Sequence, residues 1–436
     1  MAKDAPVNKN RLFGWYFNFN LLYRILIGLV LGAVVGIILA TSGITQIPGW
    51  LQMLGDIFVR LLKMILVPIV FSTLVVGSAS VSPANLGKVG LRVVGVYLLT
   101  SAVAVAIGLL MGFIFRPNAQ IAATMAAEAA GKTAEVSVWN TLSGIIPKNI
   151  FSALSSGAIL QIIFFAIIFG ISLSYLKVSK DERLNKVGNV MFDFFDGFAE
   201  IMMRMVKGIM QYAPIGVFAL ICGVFAKQGA SVAGSLAIVT VACFLGYLAH
   251  ILLVYSSILR MGKIKLSTFW KSARNPFVTA FVTRSSSGTL PVTIEAAKEL
   301  GVKKEVYSFS LPLGATINMD GTAIYQGVCS IFIALSVGHG LFGAGDLGLI
   351  VLTATLASIG TAGVPGAGAI MLAMVMQQVG MPIEPGTAIA GAYALILGID
   401  AILDMGRTAL NVFGDLTCTS FVAKKLGMLE KDAIIK

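Results

Sequence analysis

Residues 388–421 form a long apolar segment, AIAGAYALILGIDAILDMGRTALNVFGDLTCTSF, that also carries three acids and one arginine. At about 100° per residue, its polar side chains all fall within a stripe about 100° wide around a helix. A lipid-facing helix cannot carry such a stripe, because each charged group in the hydrocarbon region is unfavourable by about 2.5 to 3.5 kcal/mol. The segment therefore predicts a membrane helix whose polar face points inward and lines a functional site. The stripe consists of Asp400, Asp404, Arg407, Thr408, Asn411 and Asp415.

The whole chain has the composition of a membrane protein. Of its 436 residues, 57% are hydrophobic and 12% are charged, whereas soluble domains have about 25% charged residues. The net charge of +12 does not indicate a nucleic-acid partner, because the basic residues lie at the edges of apolar runs. Cytoplasmic loops of membrane proteins carry Lys and Arg at such edges. We therefore expect a multi-pass membrane protein in contact with lipid, with its N-terminus in the cytoplasm. We also expect it to lie in the inner (plasma) membrane with both termini in the cytoplasm.

Six uninterrupted apolar runs are long enough to span a bilayer, which takes roughly 20 residues. They lie near 21–41, 51–79, 89–115, 151–176, 200–226 and 232–259. Beyond residue 265 the apolar runs become short, and RSSSGTLP (284–291) and GTAGVPGAG (360–368) each separate two of them. Two such broken segments indicate a transporter with inverted repeats, whose helical hairpins meet near the middle of the membrane. The alternative is that both stretches are extramembranous loops between very short helices.

Residues 314–322, GATINMDGT, interrupt another apolar run. A helix with Asn, Asp and Gly at its middle is expected to unwind there. Asp320, Asn318 and Thr316 offer hard oxygen ligands, which suit a small cation better than a soft metal. A structural ion pair of Asp320 is the alternative.

Two charged residues of the last segment match the two kinds of charge on an acidic amino acid. Asp404 and Arg407 are three residues apart and share one helix face. The carboxylate suits an ammonium group, and the guanidinium suits a carboxylate. His250 and His339 are the only histidines, which argues against a histidine-based metal site or proton relay.

Four strings carry a resemblance to a known family: TRSSSGTLPVT (283–293), GATINMDGTA (314–323), ASIGTAGVPGAGAIMLAM (357–374) and GIDAILDMGRTALNVFGD (398–415). They closely resemble the prokaryotic sodium-coupled glutamate/aspartate transporters of the dicarboxylate/amino acid:cation symporter family. The resemblance implies an all-α polytopic membrane protein with eight transmembrane helices and two re-entrant helical hairpins. It also implies a homotrimer, an elevator motion of a transport domain against a scaffold, and no enzymatic activity.

The same resemblance implies a division of the chain. Residues 1–86 would hold the first two scaffold spans, and residues 118–228 would hold the fourth and fifth with an outer loop. Residues 87–117 would add the third span to the transport domain. Residues 229–436 would complete that domain with the sixth span, the first hairpin, the seventh span, the second hairpin and the eighth span.

The resemblance further implies binding residues. In the substrate site, Arg407 would bind the distal carboxylate and Asp404 the amino group. The other substrate contacts would be Ser286, Thr322, Gly363, Val364, Thr408 and Asn411. Arg284 in the first hairpin tip would form an ion pair with Asp400. The second tip would act as a gate, with the glycines Gly360, Gly366 and Gly368.

Sodium ions would bind at three sites and be transported with the substrate. One site would combine Asp415 with backbone oxygens of Gly314, Asn318 and Asn411. A second would use backbone oxygens of Thr316, Ser358, Ile359 and Thr361. A third would combine Asp320 and Asn318 with Thr100, Ser101 and the backbone of Tyr97.

The favoured function is therefore symport of aspartate or glutamate with sodium. The nearest alternative is a proton- or sodium-coupled C4-dicarboxylate transporter of the same fold, for which a non-acidic residue is expected at 404. An anion channel would not need a ligand for an amino group. An intramembrane serine hydrolase is disfavoured, because Ser285, Ser286 and Ser287 lack the G-x-S-x-G context and a suitably placed histidine.

Overall fold

A computed structural model of the chain describes residues 19, 21–80, 90–118, 146–358 and 366–430, and within these ranges the regular secondary structure is helical. The α-helices are α1 (Leu21–Thr41), α2 (Gly49–Ala79), α3 (Leu91–Phe115), α4 (Ile150–Ser156), α5 (Ile159–Lys177), α6 (Glu182–Gln228), α7 (Val232–Ala249), α8 (Ser256–Met261), α9 (Leu266–Thr283), α10 (Ser286–Glu299), α11 (Lys304–Ile317), α12 (Asp320–Ser336), α13 (Ala344–Ser358), α14 (Ala367–Gln378) and α15 (Ala388–Lys425). A π-helical turn, His250–Tyr255, joins α7 to α8.

Six helical stretches among the described residues are long and apolar enough to cross a membrane. Four of them match predicted runs, and the run predicted near 200–226 is the C-terminal half of α6. The sixth is α15, the segment with the polar stripe. The six are Tyr23–Thr41, Gly49–Ala79, Leu91–Phe115, Glu182–Lys227, Ala233–Met261 and Ala388–Lys425.

The continuous span predicted at 151–176 is wrong, because the helix is interrupted at Gly157. This residue is left-handed, with φ at 67°, and it ends α4. A left-handed residue stops an α-helix and favours glycine. The carbonyl of Gly157 accepts a hydrogen bond of 3.0 Å from the side-chain amide of Gln377 on α14. The break therefore provides a contact between the α4–α5 segment and the C-terminal half of the chain.

Three glycines four residues apart, Gly28, Gly32 and Gly36, form the face of α1 that packs on α6. A Cβ atom at Gly32 would lie 3.2 Å from the Cα of Phe218, and one at Gly36 would lie 2.7 Å from the Cys222 carbonyl oxygen. Small residues at this spacing let membrane helices approach backbone to backbone. Helix α2 packs on α6 and α5, so α1, α2, α5 and α6 form one packed group.

Helix α3 belongs to a different group, because it packs along α12 and also contacts α7 and α13. The contact again depends on glycine: a Cβ at Gly108 would lie 2.8 Å from the Cα of Ile324. On the α12 side, a Cβ at Gly327 would lie 2.6 Å from the Leu109 backbone nitrogen. This packing is what the predicted division requires of residues 91–115, although the division into scaffold and transport domain stays a prediction.

The C-terminal half contains the predicted helix breaks. Helices α9 and α10 pack against each other and are joined by Arg284, with φ at 53°, and by Ser285, whose hydroxyl accepts a hydrogen bond from the Gly288 N–H at 3.0 Å. Helices α11 and α12 are separated at Asn318 and Met319, which confirms the expected unwinding. Helices α13 and α14 also pack together, but residues 359–365 between them lie outside the described residues.

The α3–α12 contact can be tested with a single methyl group. Gly108→Ala places a Cβ against the α12 backbone, and overpacking of this kind lowers the free energy of unfolding by about 1–3 kcal/mol. Gly95→Ala on the same helix is the control, since a Cβ there meets no atom within 4 Å. Thermal unfolding of the detergent-purified variants should show a lower melting temperature for the first variant alone. Equal melting temperatures would contradict the close contact.

Candidate functional site

The guanidinium of Arg407 is the centre of the polar stripe on α15. It is 2% exposed. Its Nη1 donates a hydrogen bond to Asp400 Oδ1 at 3.1 Å, and its Nε donates to Asp404 Oδ1, also at 3.1 Å. The ring of Tyr325 lies 4.7 Å from the guanidinium carbon. One positive charge is thus shared between two buried carboxylates.

Two buried atoms of this pair have no hydrogen-bond partner among the described residues, namely Arg407 Nη2 and Asp404 Oδ2. Nη2 lies 2.8 Å from Asp404 Oδ1, but the hydrogen bond to that oxygen is made by Nε. Thr408 donates to the same Oδ1 at 3.1 Å. Asp404 Oδ2 therefore accepts no hydrogen bond among the described residues, and Arg407 Nη2 is ion-paired without a hydrogen bond. A carboxylate and a guanidinium in this state match a ligand with both an ammonium and a carboxylate group.

Backbone from α14 and α12 lies directly on this pair because two positions are glycine. A Cβ at Gly368 would lie 2.5 Å from Arg407 Cζ, and a Cβ at Gly321 would lie 2.7 Å from Arg407 Cα. The backbone N–H of Gly321 donates to Asn411 Oδ1 at 2.7 Å. Helix N-termini attract anions, and α14 begins beside the guanidinium. The arrangement therefore favours an anionic group at this point.

The predicted substrate residues are brought together in part. Arg407, Asp404, Thr408 and Asn411 line one face of α15, and all four are buried. Thr322 is buried next to Gly321 on α12, and Ser286 is buried at the start of α10, a helix that packs against α15. Gly363 and Val364 lie outside the described residues.

The first predicted sodium site converges around Asp415. Asn318 Nδ2 donates to Asp415 Oδ1 at 3.0 Å and lies 3.5 Å from the carbonyl oxygen of Asn411. A Cβ at Gly314 would lie 2.6 Å from the same Asp415 oxygen, so only glycine admits the carboxylate there. Asp415, Gly314, Asn318 and Asn411 thus meet at the helix break between α11 and α12.

The third predicted sodium site converges around Asp320. Ser101 donates to Asp320 Oδ1 at 2.6 Å. Thr100 Oγ1 lies 3.0 Å from the Tyr97 carbonyl oxygen and 3.3 Å from Asn318 Oδ1. Ser101 on α3 thus contacts the carboxylate, and its neighbour Thr100 contacts Asn318 at the α11–α12 break. Such oxygen ligands suit a hard cation.

The second predicted sodium site is not assembled by contacts among the described residues. Ile359 and Thr361 lie outside them, and Ser358 is the last residue of α13. The hydroxyl of Thr316 donates to the Leu313 carbonyl at 3.0 Å. The second site stays a prediction.

Residues beside the two predicted hairpin tips line one cavity, but the expected ion pair is arranged differently. Arg284, Gly366 and Asp400 line a cavity of about 160 Å³ together with residues of α1, α2 and α6. Asp400 bonds to Arg407, and no bond joins it to Arg284 among the described contacts. The physical reason is that Arg407 lies on the same helix face two turns away, where its guanidinium reaches both acids. Of the predicted tip glycines, Gly366 is left-handed, with φ at 86°, and Gly360 lies outside the described residues.

Sequence reasoning missed His250 and Tyr255. His250 Nε2 lies 3.1 Å from Asp320 Oδ2, and the Tyr255 hydroxyl donates to the same oxygen at 2.7 Å. Both side chains are fully buried. The available signal was a lone ionisable residue inside an apolar run, which indicates function by default in a membrane helix.

Comparison with known proteins gives consistent matches along the chain. A profile of the sodium:dicarboxylate symporter family matches residues 21–425. The chain is 34% identical to a proton/sodium-glutamate symport protein of Bacillus caldotenax, over 94% of this chain and 96% of that protein. It is 33% identical to the proton/glutamate-aspartate symporter of Escherichia coli, over 93% of each chain. A C4-dicarboxylate transport protein of a Bradyrhizobium species is 31% identical, over 95% of this chain and 92% of that protein.

Proposed function

The chain belongs to the sodium:dicarboxylate symporter family, and from this premise we propose that it imports an acidic amino acid, aspartate or glutamate, together with sodium ions. As a family member it is an integral membrane transporter and not an enzyme. One observation supports the choice of substrate: in the buried Arg407–Asp404 ion pair, neither Nη2 nor Oδ2 makes a hydrogen bond among the described residues.

The charges of the pair favour an amino acid over a C4-dicarboxylate. Asp400 and Asp404 already outnumber Arg407, so a dicarboxylate would bring two more negative charges and no positive one. Two like charges about 4 Å apart repel by about 4 kcal/mol at an effective dielectric constant of 20. The ammonium of aspartate or glutamate would instead compensate Asp404. Relatives named as C4-dicarboxylate transporters exist, which is why succinate is included in the test below.

In the proposed complex the distal carboxylate of the substrate binds Arg407, near the N-terminus of α14. The ammonium group binds Asp404 Oδ2. Thr408, Asn411, Thr322 and Ser286 provide the surrounding polar contacts, and the second hairpin tip, with Gly363 and Val364, covers the ligand. Holding both charged ends in one geometry gives selectivity for length and charge together.

Sodium coupling is supported by the number of buried carboxylates, which exceeds the number of buried cations among them. Asp320, Asp400, Asp404 and Asp415 are each at most 4% exposed, and Arg407 is the buried cation among them. Uncompensated charge is strongly unfavourable inside a membrane protein. Sodium ions bound at Asp320 and Asp415 would supply the missing positive charge, and both clusters offer oxygen ligands. Asn318 touches the residues of both clusters, and Asn411 joins the Asp415 cluster to the substrate face.

Transport by an elevator motion completes the proposal. The scaffold would contain α1, α2 and α4–α6, and the transport domain would contain α3 and α7–α15. The helix pairs α9–α10 and α13–α14 would be re-entrant hairpins whose tips close the site. We further propose a homotrimer in the inner membrane, with both termini in the cytoplasm.

The role of Arg407 can be tested by removing its charge. Arg407→Thr should abolish aspartate binding and admit neutral amino acids, since a buried charged contact contributes about 2–5 kcal/mol. Isothermal titration of purified protein in saturating sodium measures both ligands. Arg204→Thr is the matched control, because Arg204 is exposed on α6. Unchanged aspartate affinity in the Arg407 variant would refute the assignment.

The role of Asp404 can be tested by comparing two ligands. Asp404→Asn should weaken aspartate binding by more than about 2 kcal/mol, because the ammonium loses its counter-charge. Succinate, which has no ammonium group, should lose less affinity or gain some. Titration of each ligand at the same sodium concentration gives the comparison. Equal losses for aspartate and succinate would mean that Asp404 has only a structural role.

The sodium role of Asp415 can be tested by thermodynamic linkage. If sodium and substrate favour each other, aspartate affinity rises steeply with sodium concentration, and substrate raises sodium affinity by the same factor. Asp415→Asn should lower the slope of log affinity against log sodium concentration by about one ion. Asp196→Asn, on the exposed face of α6, is the control. An unchanged slope in the Asp415 variant would contradict a sodium ion at this carboxylate.

A further inference from the structure

The π-helical turn between α7 and α8 places two side chains on one carboxylate. In an α-helix, positions five residues apart lie roughly 140° apart around the axis, so His250 and Tyr255 would point in different directions. In a π-helix the hydrogen bond runs from residue i to i+5, and such positions stack one turn apart. The Ser256 N–H bonds to the Ile251 carbonyl in this way. The Ser256 hydroxyl donates to the same carbonyl at 2.9 Å, which stabilises the wide turn.

The two side chains hold one oxygen of Asp320 and leave the other to the cation ligands. His250 and Tyr255 both contact Oδ2, at 3.1 and 2.7 Å. Ser101 contacts Oδ1 at 2.6 Å, on the side where α3 supplies its oxygens. The imidazole and phenol rings also touch edge to face, with centroids 4.6 Å apart. The contact between the two rings thus restricts the orientation of both donors.

The remaining imidazole nitrogen argues that His250 is present for this contact. Nε2 carries a proton when it donates to the carboxylate, which leaves Nδ1 as the second polar atom of the ring. Nδ1 is buried without a hydrogen-bond partner among the described residues. A packing role would be filled better by an apolar side chain, since an unpartnered buried nitrogen is unfavourable.

Helix α15 is shaped to admit the Tyr255 hydroxyl. A Cβ at Gly414 would collide with this hydroxyl and would lie 2.7 Å from Asn318 Nδ2. The Tyr255 ring packs against Phe413, with centroids 5.8 Å apart. The hydroxyl therefore reaches Asp320 through a gap that depends on glycine at the position next to Asp415.

We propose that His250 and Tyr255 are positioning residues for the cation site at Asp320, and that they set its sodium affinity and its preference for sodium over lithium. This inference rests on the proposed sodium role of Asp320. With Oδ2 held by two donors, the carboxylate offers Oδ1 to an ion, on the side where Ser101 of α3 contacts it. Discrimination between ions depends on cavity size, ligand number and rigidity, and hydrogen-bond partners of ligands orient them.

The test measures ion binding without transport. Full-length protein in detergent is titrated with NaCl or LiCl at constant ionic strength, and the concentration for half-maximal thermal stabilisation is recorded with and without aspartate. The variants are Tyr255→Phe, His250→Leu, His250→Gln and Asp320→Asn. Tyr212→Phe is the matched control, because its hydroxyl donates to the Leu54 carbonyl at 3.0 Å, far along the chain from this cluster.

We expect Tyr255→Phe and His250→Leu each to raise the half-maximal sodium concentration roughly tenfold. We also expect each variant to reduce the difference between the half-maximal concentrations of sodium and lithium. His250→Gln keeps an N–H donor, so its half-maximal sodium concentration should be closer to that of the unmodified protein. Tyr212→Phe should change neither value. A purely structural role would lower the melting temperature but leave the sodium-to-lithium ratio unchanged.

Two outcomes separate this inference from the proposed function. If Asp320→Asn loses the sodium response while Tyr255→Phe and His250→Leu keep the original affinity and ion preference, the positioning role is wrong and the sodium site stands. If Asp320→Asn itself keeps the full sodium response, Asp320 does not bind sodium, and the positioning role of His250 and Tyr255 is refuted as well. Should His250→Leu fail to fold, Tyr255→Phe, which removes a single oxygen atom, decides the question.

Discussion

Buried negative charge is the constraint on which this structure depends. Asp320, Asp400, Asp404 and Asp415 lie inside a membrane protein, with one buried guanidinium, that of Arg407, among them. A buried charge is unfavourable without a compensating group, so each carboxylate needs a donor or a cation nearby. Asp400 and Asp404 share the arginine, Asp415 has the Asn318 amide, and Asp320 has Ser101, His250 and Tyr255. In the function we propose, this group of buried carboxylates is the physical basis for binding sodium ions and an ammonium group together.

Glycine makes this concentration of polar groups sterically possible. Gly314 admits Asp415, Gly368 admits the Arg407 guanidinium, and Gly414 admits the Tyr255 hydroxyl. The same device sets the larger packing, since Gly32 brings α1 onto α6 and Gly108 brings α3 onto α12. Close backbone approach and the unwound segment between α11 and α12 supply carbonyl oxygens and N–H groups at the depth where the charges lie. Irregular backbone is tolerated there because protein groups surround it.

How far the sequence specifies the site depends on the geometry that each feature needs. The stripe on α15 and the break at Asn318 were predictable, because a regular helix fixes which residues share a face and because Asn, Asp and Gly weaken a helix. The partners of Asp320 on α7 and α8 were not, since α-helical spacing places His250 and Tyr255 on different faces and only a π-turn unites them. The pairing of Asp400 with Arg407 instead of Arg284 depends on side-chain geometry that spacing alone does not determine. The interruption at Gly157 depends on a contact with Gln377, which is distant in sequence.

Coupling of sodium to substrate is the central claim, and uptake into proteoliposomes tests it most directly. Radiolabelled aspartate is added outside vesicles of purified protein at equal internal and external pH, with an inward gradient of either sodium or choline. We expect aspartate to accumulate transiently above its external concentration with sodium and to stay at background with choline. Equal uptake in choline, or accumulation that follows an imposed pH gradient without sodium, would contradict the claim and indicate proton coupling.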